Sequence, residues 1–297
     1  KEYEEGDVLI NVDLYNEIYT VEDWYEMKKN SSENYKLMAN LDFKNADSNL
    51  YARINYKGIL DGAGHTIQNI YINNTIGQPL FNSLYKDSML LNLNIKNYNL
   101  ESKSSYSAII GSATNCKIQN LNVDKVNIKS ESKGNNTVGG IVAMSSNCMF
   151  QDITIKNVNI YGKNIEKVIL GGFIGQGDGD INNVYINNLQ VRLLNINKST
   201  GIGGVIGFSS GGIRKINNVI VSGKIEANTG RIGGFCGRGY ATISNTISNI
   251  DIVANGDFVG GIVGENIEDG KLKNNLYIGD MINKKNDSYI GAISGMG

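Results

Sequence analysis

The sequence predicts an all-β fold, a right-handed parallel β-helix of stacked coils with a short N-terminal capping helix. Three observations predict it: a glycine motif that recurs at a nearly constant spacing, a strand of alternating apolar residues after each copy, and an abundance of Asn and Ile. A fixed period of about 30 residues is typical of a solenoid, whose coils bury a continuous core by stacking. The right-handed winding follows from the strong preference of crossovers between parallel strands for a right-handed path.

The repeat is clearest at residues 171–175, where a glycine pair and two apolar residues precede a third glycine. Related segments begin at residues 107, 139, 171, 203, 233, 260 and 291, so the steps between them are 32, 32, 32, 30, 27 and 31 residues. Three short strands in each coil, stacked in parallel, favour a β-helix over a propeller, whose repeats are longer.

In the strand after each glycine segment, apolar residues that face inward alternate with residues that face outward, as a half-buried strand requires. A column of polar residues precedes each inward pair and predicts an asparagine ladder at a bend. The expected inward pairs are Leu93/Ile95, Leu121/Val123, Ile153/Ile155, Val184/Ile186, Val219/Val221 and Leu276/Ile278. The expected ladder is Asn92, Asn120, Asp152, Asn183, Asn218, Asn245 and Asn275.

Composition restricts the function. The chain has 43 Asn and 40 Ile but a single His, and its formal net charge is −1. Interspersed charges give no electrostatic footprint for nucleic acid, and no apolar run is long enough for membrane insertion. Because His65 is the only histidine, we expect neither a His-based triad nor a multi-histidine metal site in this chain. We therefore expect no catalytic residue and no cofactor in this chain.

Two regions are predicted. Residues 1–34 form an N-terminal arm and capping helix, and residues 35–297 form the solenoid, which is expected to continue beyond residue 297. Thr20 and Asp23 form a capping box ahead of a helix that ends near Lys29. Trp24 is expected to cover the apolar end of the first coil, with a ligand platform as the alternative.

Isolated reactive residues have two interpretations each. His65 is expected either as a hydrogen-bonded turn residue or as a dyad with Asp61. Cys116 and Cys148 occupy equivalent positions in adjacent coils and should stack about 5 Å apart. Together with Cys236 they are predicted to be buried small apolar residues, with a metal or redox site as the alternative.

Residues 58–67 (GILDGAGHTI), 79–84 (PLFNSL) and 91–95 (LNLNI) resemble the non-catalytic N-terminal region of the Gram-positive IgA1-specific zinc metalloproteases. The glycine segments are similar to the GLUG repeat of bacterial surface proteins. The resemblance covers roughly residues 35–297 and implies an extracellular, secreted or wall-attached accessory domain. In those proteases the chemistry belongs to a His-Glu-x-x-His helix, which this sequence lacks, so the resemblance transfers no catalytic residue.

Two sets of residues are candidates for binding. Asp178 and Asp180 lie in a Gly-Asp-Gly-Asp turn, which is either a weak Ca²⁺ site or ordinary turn chemistry. The outward column of the second strand is expected to present large apolar side chains in its later coils, which marks either a partner contact or simple strand propensity. That column is predicted as Tyr71, Asn94, Asn122, Thr154, Tyr185, Ile220, Ile247 and Tyr277.

Three functions are compatible with these features. The first is a spacer and substrate-docking domain of a zinc metalloprotease, with a host glycoprotein such as immunoglobulin, or other domains of the same chain, as the partner. The second is a GLUG-repeat adhesin that binds host surface or matrix. The third is a carbohydrate-active β-helix that works through Asp178 and Asp180.

Overall fold

A computed structural model describes residues 14–73, 78–131, 134–210, 215–240, 242–267 and 270–296. The chain is a β-solenoid of about 8 turns, with 66% of its residues in strands and 5% in helices. Neighbouring coils pair in parallel along their strands, as between residues 117–130 and 142–163. These features confirm the predicted fold class.

The described residues contain two helices and 27 strands. The helices are α1 (Val21–Lys29) and α2 (Ser48–Tyr51). The strands are β1 (Asn16–Ile18), β2 (Tyr35–Leu37), β3 (Leu41–Asp42), β4 (Ile54–Tyr56), β5 (Ile59–Asp61), β6 (Thr66–Ile72), β7 (Phe81–Leu84), β8 (Met89–Ser102), β9 (Tyr106–Ser107), β10 (Ile110–Thr114), β11 (Lys117–Ser130), β12 (Asn135–Gly139), β13 (Val142–Lys163), β14 (Lys167–Gly171), β15 (Ile174–Leu194), β16 (Lys198–Gly203), β17 (Ile206–Ser209), β18 (Lys215–Ala227), β19 (Arg231–Gly233), β20 (Cys236–Gly239), β21 (Thr242–Ala254), β22 (Phe258–Gly260), β23 (Val263–Asn266), β24 (Leu272–Tyr277), β25 (Met281–Asn283), β26 (Tyr289–Gly291) and β27 (Ser294–Met296).

A small sheet of seven strands carries the glycine repeat. It contains β9, β12, β14, β16, β19, β22 and β26, one from each successive coil. Its register aligns the first glycine of each motif: Gly139, Gly171, Gly203, Gly233, Gly260 and Gly291. The period read from the sequence is therefore the period of the coil.

The glycine pair is required by close approach of the backbone. A Cβ atom on Gly171 would lie 1.9 Å from the carbonyl oxygen of Ile174, where the chain turns into the next strand. A Cβ atom on Gly172 would lie 2.1 Å from the carbonyl oxygen of Gly204 in the neighbouring coil. Only glycine fits both positions, because any side chain would displace backbone rather than a flexible side chain.

The interior is formed by columns of aliphatic side chains. The predicted inward pairs from Leu93/Ile95 to Val219/Val221 are confirmed, since each of these side chains is at most 2% exposed. A third apolar column is equally buried. It consists of Leu100, Ile128, Ile160, Val191 and Ile225.

An asparagine ladder turns the chain before each inward pair, as predicted. Its members from Asn92 to Asn245 have left-handed backbones, with φ between 51° and 56°. Asn and Asp tolerate this conformation better than other non-glycine residues. Their amides also bond from coil to coil: Asn120 Nδ2 donates to Asn92 Oδ1 at 2.8 Å, and Asn183 Nδ2 donates to Asp152 Oδ1 at 3.0 Å.

A second bend column follows five residues later and was not predicted. Its left-handed residues are Asn69, Asn97, Lys125, Asn157 and Asn188. Asn97 Nδ2 donates to Asn69 Oδ1 at 2.8 Å, and Asn188 Nδ2 donates to Asn157 Oδ1 at 2.9 Å. The strand segments of a coil therefore run into one another through single left-handed residues.

The helix α1 confirms the predicted capping box. Thr20 Oγ1 accepts from the Asp23 amide at 3.2 Å, and Asp23 Oδ2 accepts from the Thr20 amide at 2.9 Å. Trp24 is fully buried, and its Nε1 donates to the carbonyl oxygen of Tyr51 at 3.1 Å. The alternative of an exposed ligand platform is therefore wrong, because this indole packs edge-on against Phe43 and Phe81.

All three cysteines are buried and unpaired by disulfides. Cys116 Sγ and Cys148 Sγ lie 2.9 Å apart on adjacent coils, closer than the strand spacing. The hydrogen bond with Cys148, and then burial, raise the pKa of the Cys116 thiol. Burial raises the pKa of Cys236 to about 12. These surroundings keep Cys116 and Cys236 protonated, consistent with the predicted role as small apolar residues.

Candidate contact surface and groove

A row of apolar side chains faces outward across four coils. The register joins Tyr185 on β15 to Ile220 on β18, then to Ile247 on β21 and Leu276 on β24. Tyr185, Ile220 and Leu276 are 39%, 41% and 51% exposed, and Ile247 is half-buried. Because parallel strands lie about 4.8 Å apart, this outward row extends for about 15 Å.

The predicted position of Tyr277 in this row is wrong. Tyr277 pairs with Ser248, an inward residue, and its hydroxyl donates to the carbonyl oxygen of Ile250 at 3.2 Å. The left-handed residue of this coil is Asn274, with φ 54°, rather than the predicted Asn275. A shift of one residue exchanges the two faces of a strand, so Leu276 takes the outward position.

The same shift reverses the expected inward pair of this coil. Leu276 and Ile278 are 51% and 57% exposed instead of buried. Burial, with coulombic repulsion from Asp251 and Asp280, raises the pKa of the inward Tyr277 to about 12.

The earlier coils continue the row with polar residues. Asn94, Asn122 and Thr154 occupy the outward positions that lead to Tyr185. Tyr71 does not belong to the row, contrary to the prediction, because it pairs with Asn99 while Thr66 pairs with Asn94. The apolar surface is therefore confined to the four later coils.

The Gly-Asp-Gly-Asp segment lies inside β15 rather than in the predicted turn, and its aspartates bind backbone amides of different coils. Asp178 Oδ1 accepts from the Asn147 amide in the preceding coil, and Asp180 Oδ1 accepts from the Lys215 amide in the following coil at 3.3 Å. Gly177, before Asp178, and Gly179, between the two aspartates, have φ of 137° and 150° and accompany a register irregularity against β13. Within the described ranges no group of three or more His, Cys, Asp or Glu side chains is arranged to hold a metal ion.

His65 and Asp61 do not form the alternative dyad. Asp61 Oδ1 instead accepts from the Ala63 amide at 2.9 Å and from Asn92 Nδ2 at 3.0 Å. The amide of His65 donates to the carbonyl oxygen of Gly62 at 2.7 Å, which closes the turn. The turn interpretation of His65 is therefore the correct one.

A groove that sequence reasoning missed lies across β15, β18, β21 and β24. Its volume is about 860 Å³. One wall is a row in which Asn182, Asn217, Ser244 and Lys273 are successive strand partners. The other wall contains Asp180, Lys215, Thr242 and Lys271, and Ile181 and Leu272 lie between the walls.

The fold and these surfaces define a β-solenoid that displays rows of side chains from successive coils. Neither described helix is long and apolar enough to cross a membrane. No family model matches the sequence, and no curated protein matches it.

Two solved structures share the fold. One, described as a candidate immunoglobulin A1 protease from Bacteroides ovatus, is 18% identical with a TM-score of 0.52, and the alignment covers 94% of this chain and 82% of that one. The other, named IgA1 Protease, is 22% identical with a TM-score of 0.54 over 89% of this chain. The chain spans 22% of that protein's length. At this identity the likeness establishes the solenoid fold alone.

Proposed function

We propose that this chain is a non-catalytic, extracellular spacer and docking domain of an IgA protease-like protein. In this role the solenoid holds a host glycoprotein such as immunoglobulin for an active site elsewhere. The observation that carries the proposal is the outward apolar row from Tyr185 to Leu276, which neighbouring coils leave exposed. Contiguous exposed apolar surface commonly marks a protein contact.

Two further features support it. The stacked coils bond to one another through both backbone and ladder amides, which suits a stiff support. Two solved structures with a similar fold carry IgA1 protease names.

Binding of immunoglobulin A1 tests the proposal. The protein is passed over immobilised human immunoglobulin A1, and the dissociation constant is measured by biolayer interferometry for the wild type and for the double variant Tyr185→Ser/Ile220→Ser. Truncating two neighbouring apolar side chains of the row is expected to weaken binding by roughly tenfold or more. Circular dichroism should remain that of the wild type, because both side chains point away from the core.

Tyr71→Ser/Ile282→Ser is the matched control, since it removes the same residue types from exposed positions outside the row. Tyr71 is 49% exposed and Ile282 is 57% exposed. Equal weakening in both double variants, or no binding by the wild type, would reject the docking role.

A further inference from the structure

We propose that the groove across β15, β18, β21 and β24 binds an acidic oligosaccharide, a chain of carboxylated or sulfated sugars. This site is separate from the apolar row and does not depend on immunoglobulin binding. The charge of the groove, its unused hydrogen-bond donors and its backbone all favour such a ligand.

The charge of the groove is opposite in sign to that of the chain. Its lining includes three lysines, Lys215, Lys271 and Lys273, and one carboxylate, Asp180, which leaves a formal charge of +2. The whole chain carries −1. None of these lysines forms an ion pair with a described residue, and the Asp180 carboxylate is directed at the Lys215 amide. The cations are therefore available to an anionic ligand.

The walls present hydrogen-bond donors. Asn217 Nδ2 donates to Asn182 Oδ1 at 3.1 Å, and Ser244 Oγ donates to Asn217 Oδ1 at 3.2 Å. These bonds occupy both amide oxygens, and Asn182 Nδ2, in a side chain that lines the groove, has no acceptor among the described residues. Asn182 Nδ2, the lysine ammonium groups and the Thr242 hydroxyl are all hydrogen-bond donors. A groove lined by these donors favours a ligand rich in oxygen acceptors. Carboxylated and sulfated sugars have this character along their whole length.

The backbone favours a saccharide over an acidic peptide. In β15, β18 and β21 the strand segments that underlie the groove pair on both sides, so a peptide lying across the groove finds no free strand edge within it. Among the described residues only the outer edge of β24, at one end of the groove, is unpaired. The half-buried Leu272 beside the short polar side chains suits the C–H face of a sugar ring with its hydroxyls at the edge. Four coils at about 4.8 Å spacing give the site a length of about 15 Å.

Isothermal titration calorimetry of the whole chain tests the proposal. The probes are a galacturonate hexamer, a heparin hexasaccharide, neutral maltohexaose and hexaglutamate. We expect one of the two acidic saccharides to bind, which also distinguishes carboxylate from sulfate, and we expect no binding of maltohexaose. Lys271→Gln/Lys273→Gln should weaken that binding at least tenfold, because it removes two charge-assisted hydrogen bonds.

Lys163→Gln/Lys198→Gln is the matched control, because it removes two exposed positive charges outside the groove. It should leave the affinity within about twofold of the wild type, since charges beyond a Debye length are screened. Failure of both acidic saccharides to bind, equal loss in the control, or equally tight binding of hexaglutamate would overturn the proposal. The apolar-row variant Tyr185→Ser/Ile220→Ser should bind the saccharide normally, which separates this test from that of immunoglobulin docking.

Discussion

The central coils and the coils from residue 242 onward share the same bends but fill their interiors differently. In β13 and β15 the two positions after the bend are Ile153/Ile155 and Val184/Ile186, all buried. In β21 the corresponding positions are Thr246 and Ser248, which are buried but polar. In β24 they become Asn275 and Tyr277.

This difference shows which residues set the register. The left-handed asparagine persists at Asn183, Asn218, Asn245 and Asn274 while the apolar pair behind it is lost. Asn274 Nδ2 still donates to Asn245 Oδ1 at 3.1 Å. The bend therefore fixes the faces of each strand, and the apolar columns supply the stability of the coils that have them.

The largest expected effect is on the free energy of unfolding, and it compares the aliphatic interior of the central coils with the polar interior of the later ones. Ile155→Ala should lower the free energy of unfolding by about 2–5 kcal/mol, because it leaves a cavity in a fully buried aliphatic column. Ser248→Ala should change it by less than about 1 kcal/mol or raise it, because Ser248 Oγ is buried without a hydrogen-bond partner among the described residues. Urea unfolding followed by circular dichroism measures both. A loss for Ser248→Ala as large as that for Ile155→Ala would remove the distinction between the two regions.

The repeated features were predictable from the sequence because the same residue type recurs at each position. The coil period, the inward columns from Leu93 to Val221 and the capping box at Thr20 belong to this class. The second bend column was missed because its third member is Lys125, which breaks the asparagine pattern. Tyr277 was misplaced because Asn274 and Asn275 are adjacent, and residue type alone does not show which of them is left-handed.

The groove could not be predicted for a different reason. Its lysines do not follow one another from coil to coil: Lys273 pairs with Ser244, and Lys215 pairs with Thr242. Asp180 and Lys215 meet although 35 residues separate them, which is longer than the usual step. Such a site depends on the exact alignment of four unequal coils, and the glycine spacing defines that alignment only approximately.

A smaller effect tests whether the ladder acts equally in both regions. Asn183→Ala and Asn245→Ala should each cost about 1–2 kcal/mol, because Ala is unfavourable in the left-handed conformation and removes a coil-to-coil bond. Asn183→Gly and Asn245→Gly keep the conformation accessible and should cost less. Chemical unfolding of the four variants provides the comparison. Similar costs at both sites support a ladder that is independent of the core, whereas a cost confined to Asn183 would show that it depends on aliphatic packing.

The smallest expected effect is a pH-dependent loss of stability at the N-terminal cap, which substitutions of the uncharged ladder amides should not show. Hydrogen bonds from the Tyr19 amide, and then from the Thr20 amide and hydroxyl, hold the pKa of Asp23 below its usual value of 3.8 despite partial desolvation. A carboxyl group with a lowered pKa in the folded state stabilises the fold above the unfolded value, and this contribution is lost as the pH falls through the folded value.

Asp23→Asn should therefore lower the thermal midpoint slightly at pH 6, and its difference from the wild type should shrink as the pH falls below about 4. Asn245→Gly, which removes hydrogen bonds to the uncharged amides of Asn217 and Asn274, should differ from the wild type by the same amount across this pH range. Thermal unfolding of the three proteins between pH 2.5 and 6 measures this. A difference for Asp23→Asn that stays constant with pH would mean that the side chain acts through shape rather than charge, because only the carboxylate accepts both amide protons at full strength.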